Sequence, residues 1–460
     1  MLWAEVRALI VIDVDSDPYS SPDELSKSFS VALQDGSFVM ARVGTANIPP
    51  LIIEAEVATM KFIRERTSIP LPQVLAYELD PRHPLGPHVL SEKVPGVRLE
   101  AIFDDLPPQS QDLLVAQIAK YVLEVSRFTF PAIGSLKLTS PNALSSPPAS
   151  PTTPMASSSL PPIGPLAHPA FYIDGRASLP LARGPFDTVR EYFDACAQRE
   201  LDSTRALFTQ GAPPGYQREF EEAQLQVERS VGLLSDLIKR CDGLDADDKA
   251  LSRFSLDLHE LGLKNIVVSE EDPTKIVSIV DWQSITTRPL WRCARLPYWL
   301  LPSLSGQNDD RTQRLAGVYT QTIAAVDGPA SDFLRALESD DTRHALDEVA
   351  EYDVFRDGFL VLPTLQSIIA TLPGEEDMDG LKELLDPDTL TGRAARISLT
   401  TTGSNALFLA MSRAASRAAS RATSPLVTES PIGWGRRAFR PSMPPTPIFR
   451  SDPGFPQFLK

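Results

Sequence analysis

The chain has 460 residues, enough for one two-lobed catalytic unit with appendages, and its 42% hydrophobic content is adequate for a sizeable core. A net charge of −16 without a basic stripe argues against nucleic acid as a partner, and no run approaches the roughly 20 apolar residues of a membrane span. Three widely spaced cysteines, Cys196, Cys241 and Cys293, and five scattered histidines indicate neither a disulfide framework nor a zinc site.

The first 25 residues hold six acidic residues and one base, Arg7, the opposite of a mitochondrial transit peptide, and they lack a secretory apolar stretch. Segments 31–33 and 38–43 flank Gln34-Asp35-Gly36-Ser37, an Asp-Gly turn that predicts a β-hairpin bearing Arg42. Residues 52–66 carry helical spacing, with Ile53, Val57, Met60 and Ile63 on one apolar face and Glu56 within it. Strand-like segments follow, at Val74-Leu75-Ala76 and at His88-Val89-Leu90-Ser91-Glu92-Lys93-Val94-Pro95-Gly96. A helix is predicted over 109–128, from Leu113, Leu114, Ile118, Val122 and Val125. Residues 139–168 are rich in Ser, Pro and Thr and read as a disordered insertion. Phe186, Val189, Tyr192, Phe193 and Cys196 then form one helical face, and 219–240 reads as a further amphipathic helix.

The richest stretch is 254–282, FSLDLHELGLKNIVVSEEDPTKIVSIVDW. Two short apolar runs, 266–268 and 276–280, read as buried strands joined by a polar turn containing Asp272-Pro273. Such a hairpin holds Asn265 at its mouth and Asp281 at its far end. A phosphoryl-transfer site needs an Asn and an Asp to hold magnesium against the phosphates, and a carboxylate within reach of the attacking hydroxyl. Downstream, helical patterns at 311–326, 332–337, 345–370 and 378–385 complete an α-rich region, and the aromatics of 284–301 are expected to pack the core. From about 399 the chain is low in complexity. Residues 401–460 hold eight Lys or Arg and two Asp or Glu, a net of +6, which leaves −22 on residues 1–400. Arg413, Arg417 and Arg421 each precede a serine by three positions, a pattern open to phosphorylation by basophilic kinases.

These motifs resemble the aminoglycoside phosphotransferase family, whose fold is that of protein kinases. The pattern His-x-Asp-x-x-x-x-Asn followed by Asp-Trp is similar to Asp257-Leu258-His259, Asn265 and Asp281-Trp282 here, with a fungal branch related to altered inheritance of mitochondria protein nine as the nearest likeness. The resemblance implies an α+β, two-lobed fold: a divergent segment at 1–26, a small antiparallel N-lobe with one helix at 27–96, an α-rich C-lobe at 97–400, and a disordered basic tail at 401–460. It implies ATP and Mg as cofactors and a small-molecule hydroxyl as acceptor. Arg42 would contact the phosphates, Glu56 would orient Arg42, the backbone around Glu92, Lys93 and Val94 would bind adenine, and Asn265 and Asp281 would hold the metal. An acidic body would suit a cationic acceptor such as the aminoglycosides or choline, and solubility explains the acidity equally well.

Two departures bear on turnover. Asn265 follows Asp257 by eight positions, three more than the pattern, and Ser255 stands in place of the usual His; Glu260 has the pattern's spacing but Leu258 in the His place. Either Asp257 or Glu260 is therefore the base, with Asp257 favoured, and a catalytically impaired nucleotide- or partner-binding module is the alternative function. The second departure lies at 25–30, where a nucleotide-covering loop is expected but the segment is short and lacks glycine. A cytoplasmic location is expected from the lack of targeting signals, and a mitochondrial one from the resemblance alone.

Overall fold

In the computed structural model the described residues are 11–16, 26–33, 36–44, 48–139, 160–173, 175–209, scattered helical positions within 217–239, Leu244, 248–258, 261–301, 310–338 and 342–351. The expected C-terminal helix at 378–385, the tail and its serines, Cys241 and Glu260 lie outside them.

The fold is α+β and two-lobed. The smaller lobe is a five-stranded antiparallel sheet in the order β1-β2-β3-β5-β4, formed by β1 (Val11–Ser16), β2 (Ser26–Leu33), β3 (Phe38–Gly44), β4 (Val74–Glu78) and β5 (His88–Glu92). Gly36, at φ +84°, closes the predicted hairpin between β2 and β3, and its N–H donates to the Leu33 carbonyl at 2.9 Å. The segment 26–30, expected to be part of a shortened loop, is instead strand. Ser26 and Ser28 are buried within it, and Ser28 pairs with Arg42 across the ladder. Strand β1, in the segment expected to diverge, extends the sheet by pairing with β2.

Helix α1 (Leu51–Arg66) starts directly after Pro49-Pro50, where a fixed φ favours a first turn. One side of it, Ile53 and Val57, meets Tyr77 and Val89 of the sheet. The other, including Ile52, Met60 and Ile63, joins the core of the larger lobe. The helix is thus apolar on both sides, and Glu56 is buried between them.

The chain crosses to the larger lobe after β5 through β6 (Val97–Arg98), which pairs with β10 (Ile266–Val268). Gly96 permits that crossing. Its φ is +142°, and a Cβ there would collide with the Val268 carbonyl oxygen and come within 2.7 Å of Val267 Cγ1. In the larger lobe α2 (Pro108–Ser126) buries Leu114, Val115, Ile118 and Val122, and it packs against α6 (Asp310–Asp327).

Strands β7 (Ser135–Leu136) and β8 (Ile163–Gly164) pair with each other, and Leu166 and Ala167 are fully buried. The chain therefore re-enters the core before position 168, where the insertion was expected to end. Helix α3 (Val189–Thr209), the turn α4 (Lys249–Ser252), α5 (Leu290–Cys293), α7 (Asp332–Glu338) and α8 (Thr342–Glu351) complete the described part of this lobe. No helix among the described residues is long and apolar enough to cross a membrane.

Two small ladders position the chemistry. Strand β9 (Phe254–Leu256) pairs with β12 (Thr287–Pro289), and β10 (Ile266–Val268) pairs with β11 (Ile276–Ile279) in the predicted hairpin.

Candidate active site

The sheet and helix α1 first bring Arg42 and Glu56 together. Arg42 sits mid-strand in β3, between Ser28 on β2 and Val89 on β5. Its Nε lies 3.3 Å from Glu56 Oε1, and the Glu56 side chain is 5% exposed. Burial pushes the Glu56 carboxyl up to about 7, with the charge of Asp281 adding to the rise and that of Arg42 opposing it. Glu56 Oε2 is buried and has no hydrogen-bond partner among the described residues.

Arg42 also reaches the other lobe. Its Nη1 donates to Asp281 Oδ1 at 2.8 Å and to Gln283 Oε1 at 2.6 Å. Gln283 Oε1 accepts a further bond, from Ser26 Oγ, at 2.8 Å. One guanidinium thus ties the N-lobe helix to the segment after β11.

Asp281 follows β11 and takes a left-handed backbone, φ +66°, as does Ser284. Asp tolerates that region better than most residues, and the turn aims its carboxylate into the cleft. Asn265 ends the single helical turn before β10. Its Nδ2 lies 3.5 Å from Asp281 Oδ2, and its Oδ1 accepts from the Gly262 N–H at 3.0 Å. The Val280 N–H donates to the Asn265 carbonyl at 2.8 Å, which holds the two ends of the hairpin in register.

The donor set suits magnesium delivered with a nucleotide. Magnesium keeps several waters and takes one or two protein oxygens beside the phosphates. The described residues hold no cluster of three or more His, Cys, Asp or Glu for a metal, and Asp281 with Asn265 supply one carboxylate and one amide. The Asn265 oxygen accepts one bond, from Gly262, and its second lone pair can face a metal.

These residues line two adjoining clefts. The first lies between the lobes, with Met40, Met60, Val89, Val94 and Val280 as apolar walls and Arg42, Glu56 and Asp281 at its polar end. Its rim is the chain between the lobes. The Glu92 N–H donates to the Gln73 carbonyl at 2.9 Å, and the Glu92 carboxylate is exposed. The Lys93 ammonium turns outward, bonding Ser30 Oγ at 2.7 Å and lying 4.8 Å from the centre of the Phe38 ring. Val94 lines the cleft and Lys93 does not.

The second cleft contains Asp257, His168, Trp282, Gln283 and Arg288, and it shares Lys264, Asn265 and Asp281 with the first. The Asp257 side chain is 10% exposed, and its Oδ2 lies 3.4 Å from Arg292 Nη1. Arg292 is also paired with Asp347 on α8. The Asp257 N–H donates to the Thr286 carbonyl at 3.0 Å. Ser255, in the place of the usual His, is fully buried and donates to the Val125 carbonyl of α2 at 3.1 Å.

Arg42, Glu56, Asn265, Asp281, Glu92 and Val94 therefore meet at one cleft, and Asp257 stands at its neighbour. Sequence reasoning missed Gln283, Arg292, His168 and Lys264. Trp282 donates from Nε1 to the Ile279 carbonyl at 2.9 Å, and Gln283 beside it lines the second cleft. For Arg292, 35 positions from Asp257, no local pattern exists.

No protein-family model matches the chain. Subtelomeric hrmA-associated cluster proteins from two strains of Aspergillus fumigatus are similar to it, each 25% identical, over 307 and 311 residues. Each match covers 59% of this chain, and the chain spans 58% of the length of these curated relatives. Among solved structures, an aminoglycoside phosphotransferase APH(4)-Ia with AMP-PNP and hygromycin B is 15% identical, covering 81% of this chain and 98% of that one, at a TM-score of 0.41. The ADP-bound aminoglycoside phosphotransferase APH(2'')-Ib is 10% identical, covering 80% and 96%, at 0.42. A putative fructosamine-3-kinase from Thermobifida fusca is 14% identical, covering 80% and 98%, at 0.38. The superpositions are loose, and the functional reading rests on the side chains above.

Proposed function

We propose that this chain is an ATP- and Mg-dependent phosphotransferase, of the aminoglycoside phosphotransferase and choline kinase kind, that moves the γ-phosphate to a hydroxyl of a small molecule. The observation that carries this reading is the sharing of Asn265 and Asp281 by two adjoining clefts, one bounded by Arg42 and Glu56 and the other by Asp257.

The apolar walls of the first cleft suit a purine, and backbone groups near Glu92 and Val94 border the position of its edge. Arg42 presents a planar fork to the phosphates, with Glu56 fixing its Nε. Asp281 and Asn265 would hold magnesium, which supplies positive charge at the β- and γ-phosphate oxygens. In the second cleft Asp257 accepts the proton of the acceptor hydroxyl, whose oxygen forms the new bond to the γ-phosphorus. The bond from that phosphorus to the bridging oxygen breaks, and its electron pair stays on ADP. Arg292 keeps the Asp257 carboxylate in place throughout.

Thermal unfolding of the full chain, titrated with ATP and Mg and repeated on Asp281→Ala, tests this. Stabilisation of the wild type that disappears in the variant, together with slow ATP hydrolysis, is expected. No stabilisation of the wild type removes the reading, and stabilisation without hydrolysis leaves a nucleotide-binding module.

A further inference from the structure

The geometry points to Lys264 as a further catalytic residue, the cation that contacts the phosphoryl group in flight between the two clefts; this rests on the phosphotransferase reading above. Among the described cationic residues that border either cleft, Lys264 alone borders both. Arg42 and Arg98 border the first, and Arg288 and Arg292 the second. The transferring group has to cross from one to the other, so a side chain at both margins is placed beside its path.

The other cations are committed elsewhere. Arg42 is engaged by Glu56, Asp281 and Gln283. Arg292 is held between Asp257 and Asp347, and Arg288 donates from Nε to Thr286 Oγ1 at 3.1 Å with its guanidinium 4.1 Å from the Tyr192 ring centre. Arg98 donates from Nη1 to the Lys264 carbonyl at 2.6 Å. Among the described residues the Lys264 side chain makes no ion pair and no hydrogen bond.

Its backbone is fixed, and its side chain is half-buried. The bond from Arg98 holds the carbonyl, and the helical turn Leu263–Asn265 is closed by the Asn265 N–H donating to the Gly262 carbonyl at 2.9 Å. An ammonium on a flexible four-carbon stem, anchored next to the metal-binding Asn265, can follow a group that moves by a few ångströms. The γ-phosphoryl oxygens carry the charge of the transition state, and a cation that meets them there lowers the barrier without tightening the ground state in equal measure. Lys264 forms no covalent bond in this step. The phosphorus passes from the bridging oxygen of ATP to the acceptor oxygen, and the hydroxyl proton goes to Asp257.

The experiment compares the wild type with Lys264→Met and Lys264→Arg, using MgADP alone and MgADP with aluminium fluoride, which mimics the phosphoryl group in transit, as probes in thermal unfolding. Slow ATP hydrolysis is measured in parallel, with water as acceptor. MgADP is expected to stabilise all three proteins equally. The added stabilisation by aluminium fluoride is expected to vanish in Lys264→Met and to return in part in Lys264→Arg, with kcat for hydrolysis about 100-fold lower in the Met variant and KM for ATP within about threefold. An aluminium fluoride increment that survives intact in Lys264→Met overturns the assignment of Lys264. A wild type that MgADP does not stabilise overturns the phosphotransferase reading beneath it.

Discussion

Arg42 and Asp281 hold each other across the mouth of the inter-lobe cleft, Nη1 to Oδ1 at 2.8 Å, while the same guanidinium stays 3.3 Å from Glu56. One cation is thus shared by two carboxylates on different lobes. In the proposed function a metal ion held by Asp281 would compete with Arg42 for that carboxylate, and Nη1 would then be available to a phosphate. Asp281 is 38% exposed, so the pair itself contributes at most about 1 kcal/mol. We therefore expect Asp281→Asn to abolish Mg-dependent stabilisation by ATP while lowering unfolding free energy by no more than about 1 kcal/mol. Asp281→Val, with a β-branched side chain at φ +66°, is expected to cost about 1–3 kcal/mol more. Urea melts with and without MgATP separate the two effects.

Glu56 makes this pair sensitive to pH. Its carboxyl is raised from 4.5 to about 7, first by burial, so between those values the folded chain binds a proton that the unfolded chain releases. The stability from that proton is present in full below about 4.5 and is lost as pH rises through about 7. The charged carboxylate is the costly form in the folded state. Glu56→Gln removes it, so the variant is expected to gain stability relative to wild type as pH goes from 5 to 8. Thermal melts of both proteins across that range measure the difference, and a constant offset would show that Glu56 does not titrate there.

Gly96 is where the inter-lobe crossing meets β10. At φ +142°, with Val267 Cγ1 2.7 Å from a built Cβ, alanine has neither backbone freedom nor room. Gly96→Ala is expected to destabilise by about 2–4 kcal/mol and to weaken ATP binding, because displacement of 96 drags Val94 with it. The same substitution at Gly36, whose Cβ would meet nothing within 4 Å, is expected to cost only the strain of its positive φ and to leave ATP binding unchanged. Paired denaturation and nucleotide titrations distinguish the two sites.

How much of this was legible in sequence follows from how local each signal is. The β10–β11 hairpin, Asn265, Asp281 and helix α1 were readable because period and spacing within about 30 residues define them. Strand β2 was read only from 31: Ser26 and Ser28 are buried, Ser28 at the cleft, so no apolar alternation marks them. The entry of 160–168 into the core was hidden by its Pro- and Ser-rich neighbours, although Leu166 and Ala167 are fully buried. Ion pairs such as Arg42 with Asp281 and Arg292 with Asp257 join residues that only the tertiary fold brings together, and nothing in either segment announces its partner.

Asp257 and Glu260 remain the rival bases, and Arg292 separates their consequences. Arg292 is 4% exposed and lies between Asp257 and Asp347, themselves 10% and 3% exposed. Removing it takes a shared cation from two near-buried carboxylates, so Arg292→Met is expected to destabilise by about 3–5 kcal/mol. Asp257→Asn keeps the shape and removes the charge. If Asp257 is the base, that variant retains MgATP binding and loses turnover by about 100-fold or more, while Glu260→Gln stays within about twofold of wild type. The reverse pattern assigns the proton to Glu260. In either case Asp257→Asn takes one carboxylate from Arg292, so a fall in stability without a fall in MgATP hydrolysis would make Asp257 a structural counter-ion.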